Sequence, residues 1–372
     1  MARRFIYKSL PLALLMLAAQ LSTQAAGFPD VLAQPSVISS QASHAVLLGV
    51  NRAGTRLVAV GERGVVLLSD DNGVSWRQVQ VPVSSTLTAV QFIDAKQGWI
   101  TGHSGVVLHS ADGGESWSLQ LDGRRVAALE LNDAQAAAKA SADDPALQHR
   151  LDSAQHLVTD GPDKPFLALN FSDARNGTVV GAYGLAMHTA DGGQSWQSWM
   201  GHIPNDKGLH LYAVTQSSNA LYLAGEQGLL LRSQDGGAHF ERLDSPYEGS
   251  YFTLALQADD ALLVGGLRGK LFRSHDQGAT FEALANPMPV SLGSVARVGN
   301  RFIWVNQAGG LLQDIDSDTL LHPLTAPAGA PLTAVVGAAD GSLVGVGFGG
   351  VSRLSMPSLF SSPSSSANAV AE

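Results

Sequence analysis

The sequence predicts an all-β fold, a seven-bladed β-propeller interrupted by a short helical insertion between blades 2 and 3, on three observations. An eight-residue signature, Ser-x-Asp-x-Gly-x-Ser/Thr-Trp in its clearest form, recurs at Ser69 to Trp76, Ser110 to Trp117, Thr189 to Trp196, Ser233 to Phe240 and Ser274 to Phe281. The glycine shared by all copies falls at Gly73, Gly114, Gly193, Gly237 and Gly278, in steps of 41, 79, 44 and 41 residues. Each copy sits in a larger unit of apolar run, Gly-x-x-Gly, second apolar run, signature and aromatic-led strand, as Leu57 to Ser69 and Leu221 to Ser233 show. Runs of this length, rich in Val, Leu and Ile between glycine turns, are strand-sized. About four of them in a period in the low forties mark a propeller blade.

Two further units keep the pattern without the signature, Phe302 to Leu312 around Asn306 and Gly309, and Leu343 to Leu354 around Gly347 and Gly350, which brings the blades to seven. The array consumes residues 44–356 of a 372-residue chain, so a single closed domain is expected. Forty glycines and only 15% charged residues suit many buried short strands joined by tight turns.

Residues 1–26 read as a secretory signal peptide cleaved near Ala26. Arg3, Arg4 and Lys8 precede the apolar stretch Leu10 to Leu21, and small residues follow it. That stretch is shorter than the roughly twenty residues that span a bilayer, so no transmembrane helix is expected in the mature chain. Arg3-Arg4 loosely resembles a twin-arginine signal, whereas the Leu-rich core favours the general secretory route. The absence of cysteine excludes disulfides and a lipoprotein anchor, leaving a soluble periplasmic protein as the expectation. Loss of the leader moves the formal charge from -9 to -12, which argues against a nucleic-acid partner.

After the leader, 27–43 form a lead-in whose Val31-Leu32 or Val37-Ile38 are candidates for the outer strand that closes blade 7. The long step between signatures holds an insertion, 122–165, whose Arg125 to Ala140 and Pro145 to His156 are alanine-rich, charged and free of glycine. Two short helices are expected there, removable without unfolding the propeller. Residues 357–372, rich in serine and other small residues, read as a disordered tail.

In the signature, Asp71, Asp112, Asp191, Asp235 and Asp276 are placed to accept bonds from turn amides, the glycine supplies a positive φ, and Trp76, Trp117 and Trp196 pack between strands. Their role is structural. The Gly-x-x-Gly turns join the second and third strands, on the face that also carries the connections between blades. Their variable pairs, Glu62-Arg63, His103-Ser104, Ala182-Tyr183, Glu226-Gln227, Leu267-Arg268, Gln307-Ala308 and Phe348-Gly349, form a candidate binding ring. The eleven histidines are scattered without zinc-site spacing, and no nucleophile elbow or phosphate loop appears, so neither metal nor cofactor is expected.

With its leader and units of the type Val60-Gly-Glu-Arg-Gly64, the chain resembles, over roughly residues 45 to 355, the photosystem II stability and assembly factor family. That family lies within the sialidase-like propellers with Asp-box (BNR-like) repeats. The resemblance implies a monomeric, non-enzymatic scaffold that binds a protein partner in or at the membrane, in photosystem-like assembly or a transporter, through an arginine-bearing face. Arg63 and Arg268 match that pattern, while His103, Tyr183 and Gln227 occupy equivalent turns without being arginine, and the insertion is a departure. One alternative is a sialidase-type glycoside hydrolase drawing on Tyr183, Glu226, Glu62, Arg63 and Arg268. The chain lacks that enzyme's Arg-Ile-Pro motif near its start and offers only His202-Ile-Pro204. Another is a glycan-binding module using Trp99, Tyr183, Trp199 and Phe348 as stacking surfaces.

Overall fold

The computed structural model describes residues 30–314, 319–324 and 330–354; the leader and the tail lie outside them. Seven antiparallel sheets follow one another along the chain, each a simple meander. In blade 1 the strands are Leu47–Ala53, Arg56–Gly61, Val66–Ser69 and Arg77–Val79, hydrogen-bonded in that order. The first strand of each blade packs against the first strand of the next, and Leu332–Gly337 of blade 7 returns to Leu47–Ala53. This is the expected closed seven-bladed propeller.

Position in the ring explains the sequence pattern. The second strands, such as Arg56–Gly61 and Leu262–Gly266, are covered on both faces by neighbouring blades, so they read as continuous apolar runs and are almost wholly buried. The first strands face the central channel and carry polar side chains that tie blades together. Thr88 donates to the Phe166 carbonyl at 2.7 Å, Ser294 to that of Thr333 at 2.8 Å, and Thr333 to that of Leu47 at 2.8 Å. The last of these closes the ring.

The signature turns lie on the opposite face from the Gly-x-x-Gly turns and join each blade to the one before it. Within the turn, Asp71 accepts from Ser69 Oγ at 2.8 Å and from the Ser75 amide at 2.9 Å, while Ser69 Oγ accepts from the Gly73 amide at 2.8 Å. The same bonds recur around Asp112, Asp191, Asp235 and Asp276. Trp76 and Trp117 add indole bonds to the carbonyls of Gly73 and Gly114. The shared glycine has φ between 84° and 93° in all five copies and presses on the preceding blade. A Cβ there would run into Val344, Leu68, Gln120, Trp199 and Leu243 in turn.

Each turn also offers a carbonyl to a donor from the preceding blade or from the connection that follows it. Arg353 bonds to Asn72 O at 3.1 Å, Arg56 to Gly113 O at 3.1 Å, Gln120 to Gly192 O at 2.8 Å and Arg232 to Gln277 O at 2.8 Å. In blade 4, His202 meets the carbonyl of Gly237, one residue further on, at 2.9 Å. Hydrogen bonds of this kind contribute about 1 kcal/mol each, and they recur around the ring.

One expectation is corrected. Among the described residues, blade 7 holds three strands, and neither Val31-Leu32 nor Val37-Ile38 supplies a fourth. The lead-in instead runs beside blade 1: the Ser84 amide donates to Val31 O, and Ser36 exchanges bonds with Val81. It then reaches blade 7 through Ala42–His44, whose Ser43 carbonyl lies where a side chain on Gly350 would be. Its polar, proline-punctuated sequence suits such a crossing better than a ladder. The insertion forms the two expected helices, α1 (Gly123–Ala140) and α2 (Pro145–Asp160), each with an aspartate N-cap, Asp122 and Asp144. It packs onto the propeller, with Val126 buried in the cluster of Trp99, Phe166 and Met187 between blades 2 and 3 and Leu129 and Leu157 packed against it.

Gly237→Ala should lower the unfolding free energy by about 2–5 kcal/mol, since it combines left-handed strain with overlap of the Trp199 ring. Gly236→Ala, at φ 72° with open space around it, should cost only about 1–2 kcal/mol. Equal effects in urea denaturation would refute the joint.

Acid should act on the same turns. The carboxyls of Asp71, Asp191 and Asp276 are held at about 2 against an ordinary 3.8, first by the Ser or Thr hydroxyl four residues on and then by that residue's amide. A value lowered by folding means stability fully present above about pH 4 and lost as pH falls from 3.8 towards 2. The denaturation midpoint should therefore drop through that window, and the slope should flatten in Asp71→Asn/Asp191→Asn/Asp276→Asn.

Candidate functional site

The Gly-x-x-Gly turns of blades 1 to 5 share one backbone geometry. The amide after the second glycine bonds to the carbonyl of the first variable residue, as from Val65 to Glu62 at 3.0 Å and from Leu229 to Glu226 at 2.9 Å. The two residues between have left-handed φ, a mirror-image turn matched to the twist of a hairpin. The second is glycine, but the first is Arg63, Ser104, Tyr183, Gln227 or Arg268, at φ 52° to 59°. Such a conformation costs a non-glycine residue about 1–2 kcal/mol. In all seven blades the residue after the first glycine, or after Asn306 in blade 6, donates its amide to the connection entering the first strand, at 2.8–3.1 Å from Glu62 to Val46 O through Phe348 to Pro331 O. The turns are thus clamped to the connections between blades, on the face expected.

The structure divides the candidate residues into two groups. Glu62 and Glu226 turn back towards the fold. Glu62 accepts the Val46 amide at 2.9 Å, and Glu226 accepts the His210 amide at 2.9 Å and the Tyr212 hydroxyl at 3.3 Å. Burial, then the charge of Glu226, pushes the Tyr212 phenol up to about 12. Arg63, His103, Gln227 and Arg268 point outwards and are exposed, and among the described residues no hydrogen bond or ion pair engages their side chains. Tyr183, 57% exposed, stands beside His210, with ring centres 4.8 Å apart, and under Lys164 Nζ at 5.2 Å.

Tyr183, His210, Glu226 and Tyr212 therefore form one connected group across blades 3 and 4. Arg63 and Arg268, on blades 1 and 5, do not make a single patch. The five residues considered for a sialidase centre stay spread over four blades, with both glutamates committed to backbone amides. Of the residues considered for glycan stacking, Trp99 and Trp199 are buried, Trp99 between His109 and Phe171, while Tyr183 and Phe348 remain exposed. Among the described residues no cluster of His, Asp or Glu is arranged to hold a metal ion, and no helix is long and apolar enough to cross a membrane.

Sequence reasoning missed the clasp that holds the insertion over this face. Glu130 of α1, 1% exposed, pairs with Arg150 of α2 through two bonds of 2.9 Å and accepts the Ser198 hydroxyl of blade 3. Arg150 also reaches Asp133 and lies over Gly201, where a Cβ would overlap its guanidinium. Lone charges on an alanine-rich helix carry no signal that they will be buried. Beside the clasp the chain from 200 to 208 forms a fixed wall, pinned by Asn205, whose side chain bonds to both amide and carbonyl of Leu209 at 3.0 and 2.9 Å.

Comparison with known proteins gives a consistent pattern. A family model described as photosynthesis system II assembly factor YCF48 matches residues 51–138 and 152–299. The photosystem II assembly lipoprotein Ycf48 of Synechococcus sp. (strain CC9902) is 31% identical over 77 residues, 21% of this chain and 23% of that protein. The chloroplastic photosystem II stability/assembly factor HCF136 of Cyanidioschyzon merolae (strain NIES-3377 / 10D) is 34% identical over 92 residues, 22% of this chain and 21% of that protein. These alignments span under a quarter of either relative. In structure, YCF48 from Cyanidioschyzon merolae superposes with a TM-score of 0.60 at 15% identity, covering 84% of this chain and 96% of that one. YCF48 bound to D1 peptide gives 0.58 at 15% identity, over 84% and 93%. Streptogramin B lyase gives 0.63 at 13% identity, over 88% and 100%, a likeness of fold alone.

Arg150→Met leaves Glu130 buried without a cation and should cost about 3–5 kcal/mol of local stability. Amide exchange in α1 and α2 should rise while that of blades 4 to 6 does not. Glu130→Met/Arg150→Met should recover most of the loss, and a double variant as unstable as the single would show that the pair is not the clasp.

Proposed function

We propose that this chain, which belongs to the photosynthesis system II assembly factor YCF48 family, is an exported, non-enzymatic scaffold that holds a peptide segment of a membrane or envelope-complex subunit on the face formed by its Gly-x-x-Gly turns. The observation that carries this reading is the ring of strained turns. Arg63, Gln227 and Arg268 each occupy a left-handed position that glycine would fill with less strain, and each presents an unengaged polar side chain to solvent. Strain kept where no internal contact offsets it is the signature of a surface shaped for something else. The partner class follows by analogy, because one structural relative carries a D1 peptide.

The chemistry of the face supports binding rather than turnover. Its two ring glutamates brace backbone amides, and its arginines stand apart, a geometry that spreads contacts along an extended ligand instead of converging on one reacting atom. Export and a monomeric state belong to the same proposal, resting on the leader and on the self-contained closure of the ring.

The test uses the tagged protein in its own cells. Chemical crosslinking of the wild type should recover a membrane-complex subunit, and Arg63→Gly/Arg268→Gly should lose it. The variant's own stability should be unchanged or raised by up to about 1 kcal/mol per site, because relief of left-handed strain offsets the added freedom of the unfolded chain. Equal recovery by both proteins would remove the ring from the binding face.

A further inference from the structure

The turn face holds one feature the ring does not account for, a cleft of about 520 Å³ between α2, the turn at Tyr183 and the wall from 200 to 208. Its size lies within the ~300–1,000 Å³ range in which short ligands become largely enclosed. The lower part is apolar, lined by Leu157, Leu185, Met200 and Ile203. The rim is polar, with His149, Ser153 and His156 along α2 and Lys207 facing them.

Most charges in the cleft are already used. Glu130 is taken by Arg150 and Ser198, and Lys164 by Asp160 at 3.0 Å and Asp163 at 2.6 Å. Among the described residues no hydrogen bond or ion pair engages the side chains of Lys207, His149 or His156, and Asp206 is the one carboxylate of the lining left in the same state. The ammonium of Lys207 and a ring N–H on each histidine therefore stand as unengaged donors above an apolar floor. Both walls are held without a ligand, one by the Glu130–Arg150 clasp and the other by Asn205, so little ordering cost remains for whatever enters.

We propose that this cleft seats a short peptide that lowers one apolar side chain between Leu157, Leu185 and Ile203 and sets an adjacent acidic group against Lys207 and the two histidines. The proposal rests on the scaffold reading for its choice of a peptide, and it assigns the insertion a part in recognition. The aromatic face of Tyr183 forms the side of the cleft nearest the ring, so a chain leaving the cleft passes directly onto the turns.

The probe is a phage-displayed library of random nonapeptides panned on the purified mature protein, followed by anisotropy measurements with the labelled consensus peptide. The consensus should place Asp or Glu within two positions of Leu, Ile or Phe. Affinity should fall at least tenfold in Ser153→Trp, which fills the cleft from an exposed helical position, and in Lys207→Glu, with thermal unfolding of both variants close to wild type. Arg63→Gly/Arg268→Gly should leave this affinity unchanged, so partner capture kept by that variant in cells, with cleft binding intact, counts against the ring alone. A consensus without an acidic residue, or one that binds Ser153→Trp as well as wild type, overturns the cleft proposal. So does dodecanoate binding that Ser153→Trp blocks when no peptide is enriched, which would make the site one for an anionic amphiphile.

Discussion

The joint between a signature turn and the blade before it is the contact on which the rest of this molecule depends. A ring of seven sheets has no layer above or below to hold it, so its integrity rests on seven lateral interfaces that must all form. Here a glycine at φ near 90° brings backbone against the preceding blade, and the turn presents a carbonyl to a donor from that side. The aspartate makes this possible by ordering the turn from within through two hydroxyl or ring donors and an amide. Residues that look local in sequence thus act between blades.

The opposite face has been released from that duty. Its turns are tied down by one backbone bond each to the incoming connection, which leaves their tips free to vary among Arg, Ser, Tyr and Gln. The inserted helices exploit the same freedom, since α1 enters where the connection between blades 2 and 3 would otherwise run. Burying Val126 and Glu130 then makes the insertion part of the interface it interrupts. Rigid support below and variable tips above is the division that a binding scaffold requires.

Much of this was legible in the sequence because the determinants are periodic. Glycine spacing and the apolar runs gave the blade count, the strand order and the face of each turn, and alanine content marked the two helices. What escaped was non-local. The roles of Glu62 and Glu226 depend on amides sixteen residues earlier, at Val46 and His210, a distance that no local pattern encodes. The clasp joins Glu130 to Arg150 and Ser198, three residues that share no motif. The lead-in has the look of a closing strand because Val31-Leu32 and Val37-Ile38 have strand character, yet hydrogen bonds from Ser84 and Val81, beside blade 1, capture that stretch first.

The joints bear on how such a repeat can evolve. Four of the five turns offer the same carbonyl and the fifth offers the next one along, but the donors that meet them are Arg353, Arg56, Gln120, His202 and Arg232. Guanidinium, amide and imidazole differ in reach and in geometry. A duplicated or transplanted blade would arrive with the right acceptor and a mismatched neighbour, so recombination within the ring is penalised even though every unit looks interchangeable. The variation among these donors, all of them outside the signatures, gives each blade an address in the circle, and a chain still folding can use that address to reject the wrong neighbour.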